Sequence, residues 1–258
     1  MGSSYKLLPS FSAEVADQEV FWASSDSTVA TVDRNGCVTA HKIGTATISC
    51  QLTQGLDYDL CTVRVAFKDV PLSGKYYSAP VYWAYHRGIT KGYTGGTYDK
   101  SFGAGLNCER KDLAIFMWRY AEQPSGAGDA RDKFSDMAAY GSSTAANKAV
   151  AWAAKWGIVK GYSDGTFRPN APVDRKDVLI MLYRLAGKPE VSGTLVFSDC
   201  QNLDKNSDTY KAILWGAENR ITNGYSNGPY AGRFGIGVEC LREQIITFLY
   251  RYDDYINE

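Results

Sequence analysis

Two hydrophobic patterns divide the chain. In residues 5–66 the apolar positions come in short β-branched or aromatic stretches: Phe21-Trp22, Val29, Thr31-Val32, Val38, Thr45 to Ile48, and Thr62 to Val65. Ser24-Ser25-Asp26, Asn35-Gly36, Gly44 and Gln54-Gly55 break them. Strands this short at this spacing predict a small β-sandwich. Asn35-Gly36 reads as a two-residue hairpin turn with positive φ at both central positions. After Phe67 the apolar period becomes helical. Leu113, Phe116, Met117 and Tyr120 lie on one face, as do Val178, Met181, Leu182 and Leu185, and again Ile245, Phe248, Leu249 and Tyr252.

Each of these faces begins three residues after an arginine: Arg110, Arg175 or Arg242. Other residues recur in the same order. Asp69, Asp136 and Asp199 open the copies, in FKDV, FSDM and FSDC. Trp83, Trp152 and Trp215 follow, then Ile89, Ile158 and Ile221, and then the pairs Gly92-Tyr93, Gly161-Tyr162 and Gly224-Tyr225. A second helix is predicted before each of these isoleucines, for example over Asn147 to Trp156. Gly88 and Gly157 would stop it in the first two copies, whereas Arg220 in the third requires a different ending. Glu122 to Arg131 and Gly187 to Thr194 read as linkers. One helix–loop–helix pair cannot bury its apolar face alone, but three can, and a pseudo-threefold arrangement is the expected solution.

Both parts resemble known families. WASSDSTVATVDRNGCVTAHKIGTATISC resembles the bacterial Ig-like (group 2) domain, which implies a spacer without chemistry of its own over residues 1–66. That family's first strand would precede Tyr5, so an edge strand is expected to be missing. GIVKGYSDGTFRPNAPVDRKD, with its two sister copies, resembles the S-layer-homology repeat. The resemblance implies repeats over 67–124, 132–189 and 195–258, and a multidomain fold: a small all-β Ig-like sandwich followed by an all-α pseudo-threefold trimer of helix–loop–helix repeats. It also implies non-covalent binding of pyruvylated secondary cell-wall polysaccharide in grooves between repeats.

A pyruvate ketal presents a carboxylate on a sugar. Arg110, Arg175 and Arg242, placed at helix starts, supply a planar donor fork beside an anion-favouring terminus. Asp69, Asp136 and Asp199 are candidates for sugar hydroxyls or, alternatively, helix caps. Gly92, Gly161 and Gly224 admit a close ligand or make turns. Where the family carries a Trp early in the first helix, this chain has Tyr76, Ala145 and Asp208, so only Tyr76 keeps an aromatic face for a sugar. Where the family carries Thr before the arginine, it has Glu109, Asp174 and Leu241. Two of these add negative charge beside the anion site, and Asp174 would be a good helix cap.

Composition narrows the function further. Lys plus Arg and Asp plus Glu each number 28, so no net basic charge supports general binding to nucleic acid or a membrane surface. The only histidines, His41 and His86, lie in different segments, which leaves no basis for a His-built metal site or a Ser-His-Asp triad. No run of about 18 apolar residues is present, so membrane insertion is not expected. Asp204-Lys205-Asn206-Ser207-Asp208 mimics a calcium loop but has Thr209 and Trp215 where Gly and Glu are required. No catalytic residues, metal or cofactor are expected, and the chain reads as a non-enzyme. Cys108, Cys200 and Cys240 replace apolar residues and read as buried thiols. A bridge between Cys50 and Cys61 is open, and Cys37 completes the six. MGSS reads as a start added for expression, and the chain as a piece of a longer protein with cargo upstream.

The expectation is therefore a monomeric, extracellular anchoring module on the wall of a Gram-positive, anaerobic bacterium. Its expected partner is cell-wall polysaccharide. The alternative is an assembly module that holds other surface proteins without glycan binding.

Overall fold

The computed structural model describes residues 3–9, 19–52 and 58–258. Its contacts fall into two compact units, Met1–Leu72 with Thr94–Ser101, and Ser73–Tyr93 with Phe102–Glu258.

The first unit contains β1 (Ser4–Lys6), β2 (Val20–Ser24), β3 (Ala30–Val32), β4 (Cys37–Ala40), β5 (Gly44–Leu52) and β6 (Tyr58–Val65). They form two antiparallel sheets, ordered β1-β4-β3 and β2-β5-β6. The longest strand shows why. Along β5, Ala46, Ile48, Cys50 and Leu52 are buried while the residues between them face outward, the period of two that half-buried strands require. Ala46, Ile48 and Val65 from one sheet pack with Ala30 and Val38 from the other, beside Val29 and Trp22. This is the sandwich core.

Two details differ from the sequence reading, and a third concerns a bridge that it left open. The sheet edge expected to be empty is filled by β1, which contains Tyr5. At the β3–β4 turn only Gly36 has positive φ, at 78°. Gly36 N–H donates to the Asp33 carbonyl, and the Asp33 carboxylate accepts from Asn35 and Cys37. The turn is thus a tight loop closed by a left-handed glycine rather than a two-residue hairpin. Cys50 pairs across the sheet with Asp59, and Cys61 with Ile48, so these two cysteines are out of register and both are free. The expected turn at Gln54-Gly55 lies outside the described residues.

The second unit is helical: α1 (Ser78–His86), α2 (Arg110–Tyr120), α3 (Ala145–Lys155), α4 (Arg175–Leu185), α5 (Asp208–Glu218) and α6 (Arg242–Asn257). Each of α2, α4 and α6 starts at its arginine. Their repeated apolar residues are buried, apart from Tyr120 and Leu185, which are half-buried. Helices pair in a cycle: α2 packs on α3, α4 on α5, and α6 returns to α1. Trp152 and Trp215 are core residues. Trp83 is half-buried, edge-on to Tyr250 with ring centroids 5.3 Å apart. Thr144 and Ser207 cap α3 and α5 by accepting from the N–H groups of Asn147 and Tyr210.

The cycle also closes at the centre. Cys108 N–H donates to the Cys240 carbonyl, Cys240 N–H to the Val173 carbonyl, and Val173 N–H to the Cys108 carbonyl. All three side chains are fully buried. These bonds satisfy backbone groups that water cannot reach.

The first helix of each pair ends in the left-handed region in every copy: Gly88 at φ 71°, Gly157 at 69° and Arg220 at 57°. The third helix therefore stops as the others do, with an arginine held where glycine is favoured. Relief of that backbone cost is worth about 1 kcal/mol. Arg220→Gly is expected to raise the midpoint of thermal unfolding measurably. An unchanged or lowered midpoint would show that the Arg220 side chain offsets the strain.

Candidate functional site

The three arginines occupy equivalent places. Arg110, Arg175 and Arg242 are buried, at 8%, 4% and 5% exposure. Each reaches out of its own helical segment into the next one. Arg110 Nε donates to the Phe167 carbonyl at 2.9 Å, Arg175 Nε to the Phe234 carbonyl at 3.0 Å, and Arg242 Nε to the Phe102 carbonyl at 3.3 Å. Their backbone N–H groups follow the same route, to the carbonyls of Ala171, Val238 and Leu106.

Aromatic faces cover the guanidinium groups. Arg110 lies 5.0 Å from the Tyr162 ring centre, Arg175 lies 4.5 Å from that of Tyr225, and Arg242 lies 4.8 Å from that of Tyr93. These are cation–π distances, and burial strengthens such contacts. The tyrosines are the residues that follow the repeated glycines. They were visible as a repeat, but their role as a platform was not.

A third partner also recurs, two residues into the next arginine helix. Arg110 Nη1 lies 3.5 Å from Asp177, and Arg242 Nη1 lies 2.7 Å from Asp112. Arg175 Nη1 instead donates to the side-chain oxygen of Gln244, at 3.2 Å. A second arginine set, missed in the sequence, sits nine residues further along each helix. Arg119, Arg184 and Arg251 donate to the carbonyls of Ile89, Ile158 and Ile221. The fixed offset from the first arginine was the signal that could have found it.

The remaining candidates separate by role. The Asp136 carboxylate accepts from the N–H groups of Phe167 and Arg168, and that of Asp199 from Phe234, Gly235 and Ile236. They hold the loops whose carbonyls receive the arginines. Asp69 belongs to the first compact unit. A Cβ on Gly161 or Gly224 would lie 2.4 Å or 2.5 Å from the ring of Phe134 or Phe197, so these glycines admit an aromatic ring of the same segment. Gly92 has φ 68°, and its N–H donates to the Thr90 hydroxyl. Glu109 and Asp174 do not cap their helices, and each pairs with the lysine two residues on, Lys111 or Lys176. The repulsion expected from them is therefore balanced locally. Tyr76 lines the cavity of Arg175 together with Gln244. The buried thiols Cys200 and Cys240 are pushed up to about 12 by burial, so they stay protonated.

Two cavities lie against these arginines. One, of about 250 Å³, is lined by Arg110, Tyr162, Asp177 and Arg184. The other, of about 420 Å³, is lined by Tyr76, Arg175, Tyr225, Gln244, Phe248 and Arg251. Arginine beside an aromatic face, in a groove between helical segments, suits a sugar that carries an acidic group.

These features define a module built from helical repeats, joined to a β-sandwich. Family comparison gives the particular families. The S-layer homology domain matches residues 66–104 and 133–179, and the bacterial Ig-like domain (group 2) matches residues 2–63, so the chain carries both. No curated protein matches the chain. S-layer homology domains anchor proteins to cell-wall polymers at the bacterial surface, and neither family is catalytic. Among the described residues, no helix is long and apolar enough to cross a membrane.

Burial pushes the Asp199 carboxyl up, but the N–H groups of Phe234, Ile236 and Gly235 outweigh burial and hold it below its ordinary value. A carboxyl lowered on folding stabilises above its unfolded value of about 3.9, and the benefit is lost as pH falls through the lower folded value. Asp199→Asn is expected to cost about 2 kcal/mol at neutral pH. In urea unfolding the difference from wild type should shrink below about pH 4. A difference that stays constant down to about pH 2.5 would contradict this role.

Proposed function

We propose that the chain is a non-catalytic cell-surface anchor that binds pyruvylated secondary wall polysaccharide in grooves between repeats at 67–124, 132–189 and 195–258. The observation that carries this reading is the repeated juxtaposition of a buried arginine, a tyrosine face and the next segment's loop. The cyclic helix pairing and the ring through Cys108, Val173 and Cys240 support a pseudo-threefold trimer, including the third copy, which lies outside the matched segments. In this reading Arg110, Arg175, Arg242 and Tyr76 face the glycan. Asp136, Asp199, Gly92, Gly161 and Gly224 shape the grooves around it.

The Ig-like part, residues 1–66, is a spacer, and the module works as an extracellular monomer. In this reading a secondary wall polymer as ligand suits a Gram-positive host. Six free cysteines on an exported protein suit an anaerobic one.

A second reading, an assembly module for other surface proteins, is favoured by one observation. Asp112 and Asp177 already occupy the guanidinium groups of Arg242 and Arg110. It expects no saturable binding of saccharide.

Sedimentation with purified cell walls separates the two. The chain should be retained by walls that carry the pyruvylated polymer and released when that polymer is extracted beforehand. Equal retention on both preparations, or none on either, would contradict glycan anchoring.

A further inference from the structure

The two linkers, residues 122–131 and 187–194, are built alike, and each covers a cavity away from the arginines. Trp118 and Tyr183 hold the same position near the ends of α2 and α4. Trp118 Nε1 donates to the Pro124 carbonyl, and the Tyr183 hydroxyl to the Pro189 carbonyl, both at 3.0 Å. Just before each proline, Gln123 or Lys188 takes a positive φ of 57°. Its N–H turns back to the carbonyl of Trp118 or Tyr183. The chain is thereby folded over the aromatic side chain and led towards the next helix. The cavity so formed has about 450 Å³ at the first linker and about 480 Å³ at the second. Neither shares a residue with the cavities of Arg110 and Arg175.

The two cavities differ in chemistry. The second contains its own counter-charges. Glu190 and Asp208 line it with Lys188, Lys205 and Lys211, and Lys188 bonds to Asp208 at 3.0 Å. At the end of α5, Glu218 accepts from the Gly193 N–H at 2.9 Å. At the first linker each of these acids is replaced. Ser125 stands in the place of Glu190, Ala145 in that of Asp208, and Lys155 in that of Glu218. Lys155 Nζ donates to the Gly126 carbonyl at 2.9 Å, which pins the linker. It leaves the N–H of Gly128, the counterpart of Gly193, without an acceptor among the described residues.

The first cavity is therefore lined by donors. Gln123, Ser125, Ser142 and Lys148 supply side chains, the linker supplies backbone, and no carboxylate lines it. Asp129, further along the linker, is held by Arg131 and Asn147. Lys148 is exposed and takes part in no ion pair among the described residues. It shares one face of α3 with Lys155, two turns on. The N–H groups of Ser125, Gly126 and Ala127 likewise meet no acceptor among the described residues. Gly126 and Gly128 have φ of 76° and 89°, and a Cβ on either would meet nothing within 4 Å, so the backbone is open to approach. Open amides beside ammonium groups make a concavity for an anion. A phosphoryl group presents several acceptor oxygens and can meet amide, hydroxyl and ammonium donors together. The cavity is larger than one phosphate and leaves room for groups esterified to it.

We propose that the pocket under the first linker is a second ligand site, separate from the arginine grooves, that takes a phosphoryl group through Lys148, the two serines and the amides of residues 125–128. The equivalent pocket at the second linker does not, because Glu190, Asp208 and Glu218 already answer its donors. The assignment does not depend on the wall-glycan reading, since the two kinds of cavity have no residue in common.

The test uses the whole chain, labelled with nitrogen-15, and its amide spectrum. Inorganic phosphate is titrated in at constant ionic strength, with chloride as the balancing anion. Saturable shifts are expected at the amides of Gly126, Ala127 and Gly128. Lys148→Ala should keep the unfolding midpoint and bind phosphate at least about tenfold more weakly, whereas Lys211→Ala should stay within about twofold of wild type. An oligomer of glycerol phosphate carries the same group as a diester. Shifts at the same amides with the oligomer would support the site and assign it to a phosphodiester polymer. Shifts with inorganic phosphate alone would support it as a site for the free ion. No saturable shift at these amides with either probe, or equal affinity in wild type and Lys148→Ala, would overturn the proposal.

Discussion

The helical unit depends on burying three arginines. A guanidinium removed from water costs several kcal/mol unless its donors are met. Here each is met by a loop carbonyl and an aromatic face, and then by one more acceptor from the next helix. Because those partners always belong to the next segment, the requirement cannot be satisfied within one helix pair. The same condition that makes one segment unstable alone therefore joins the segments into a cycle. Asp136 and Asp199 act one step further back. By gathering the loop N–H groups, they fix the carbonyls of Phe167 and Phe234 where the arginines need them.

Side-chain period made much of this legible before any coordinates. The arginine helices begin at Arg110, Arg175 and Arg242, and their buried faces are those the i, i+3, i+4, i+7 pattern marked. The acceptors were not legible, because the carbonyls of Phe102, Phe167 and Phe234 are backbone groups, which any residue supplies. The aspartates were visible as repeats, but whether a carboxylate meets a sugar hydroxyl or a loop amide depends on the loop's path. Arg220 misled for a similar reason: the preference for glycine at a helix end is a matter of energy, and packing held an arginine in the same conformation. The strand register that separates Cys50 from Cys61 likewise depends on two residues of offset, which composition does not encode.

The third partner of the buried arginine differs in charge from groove to groove. An aspartate two residues into the next helix completes the buried arginine's partners and strengthens the joint between segments. A glutamine there keeps a hydrogen bond without supplying the opposite charge. Asp112 and Asp177 bring a negative charge to Arg242 and Arg110, whereas Gln244 brings a neutral acceptor to Arg175. Tyr76, the one aromatic left at its position in the three copies, lines the same cavity as Gln244, so two independent departures from the other grooves coincide.

The most direct measurement is a crystal structure of the chain soaked with a glycoside that carries a pyruvate ketal. Density for the carboxylate is expected against at least one of Arg110, Arg175 and Arg242, beside its tyrosine face. Density for the glycoside away from all three arginines, or none at all, would contradict the claim that the repeated arginine, tyrosine face and neighbouring loop hold the ligand.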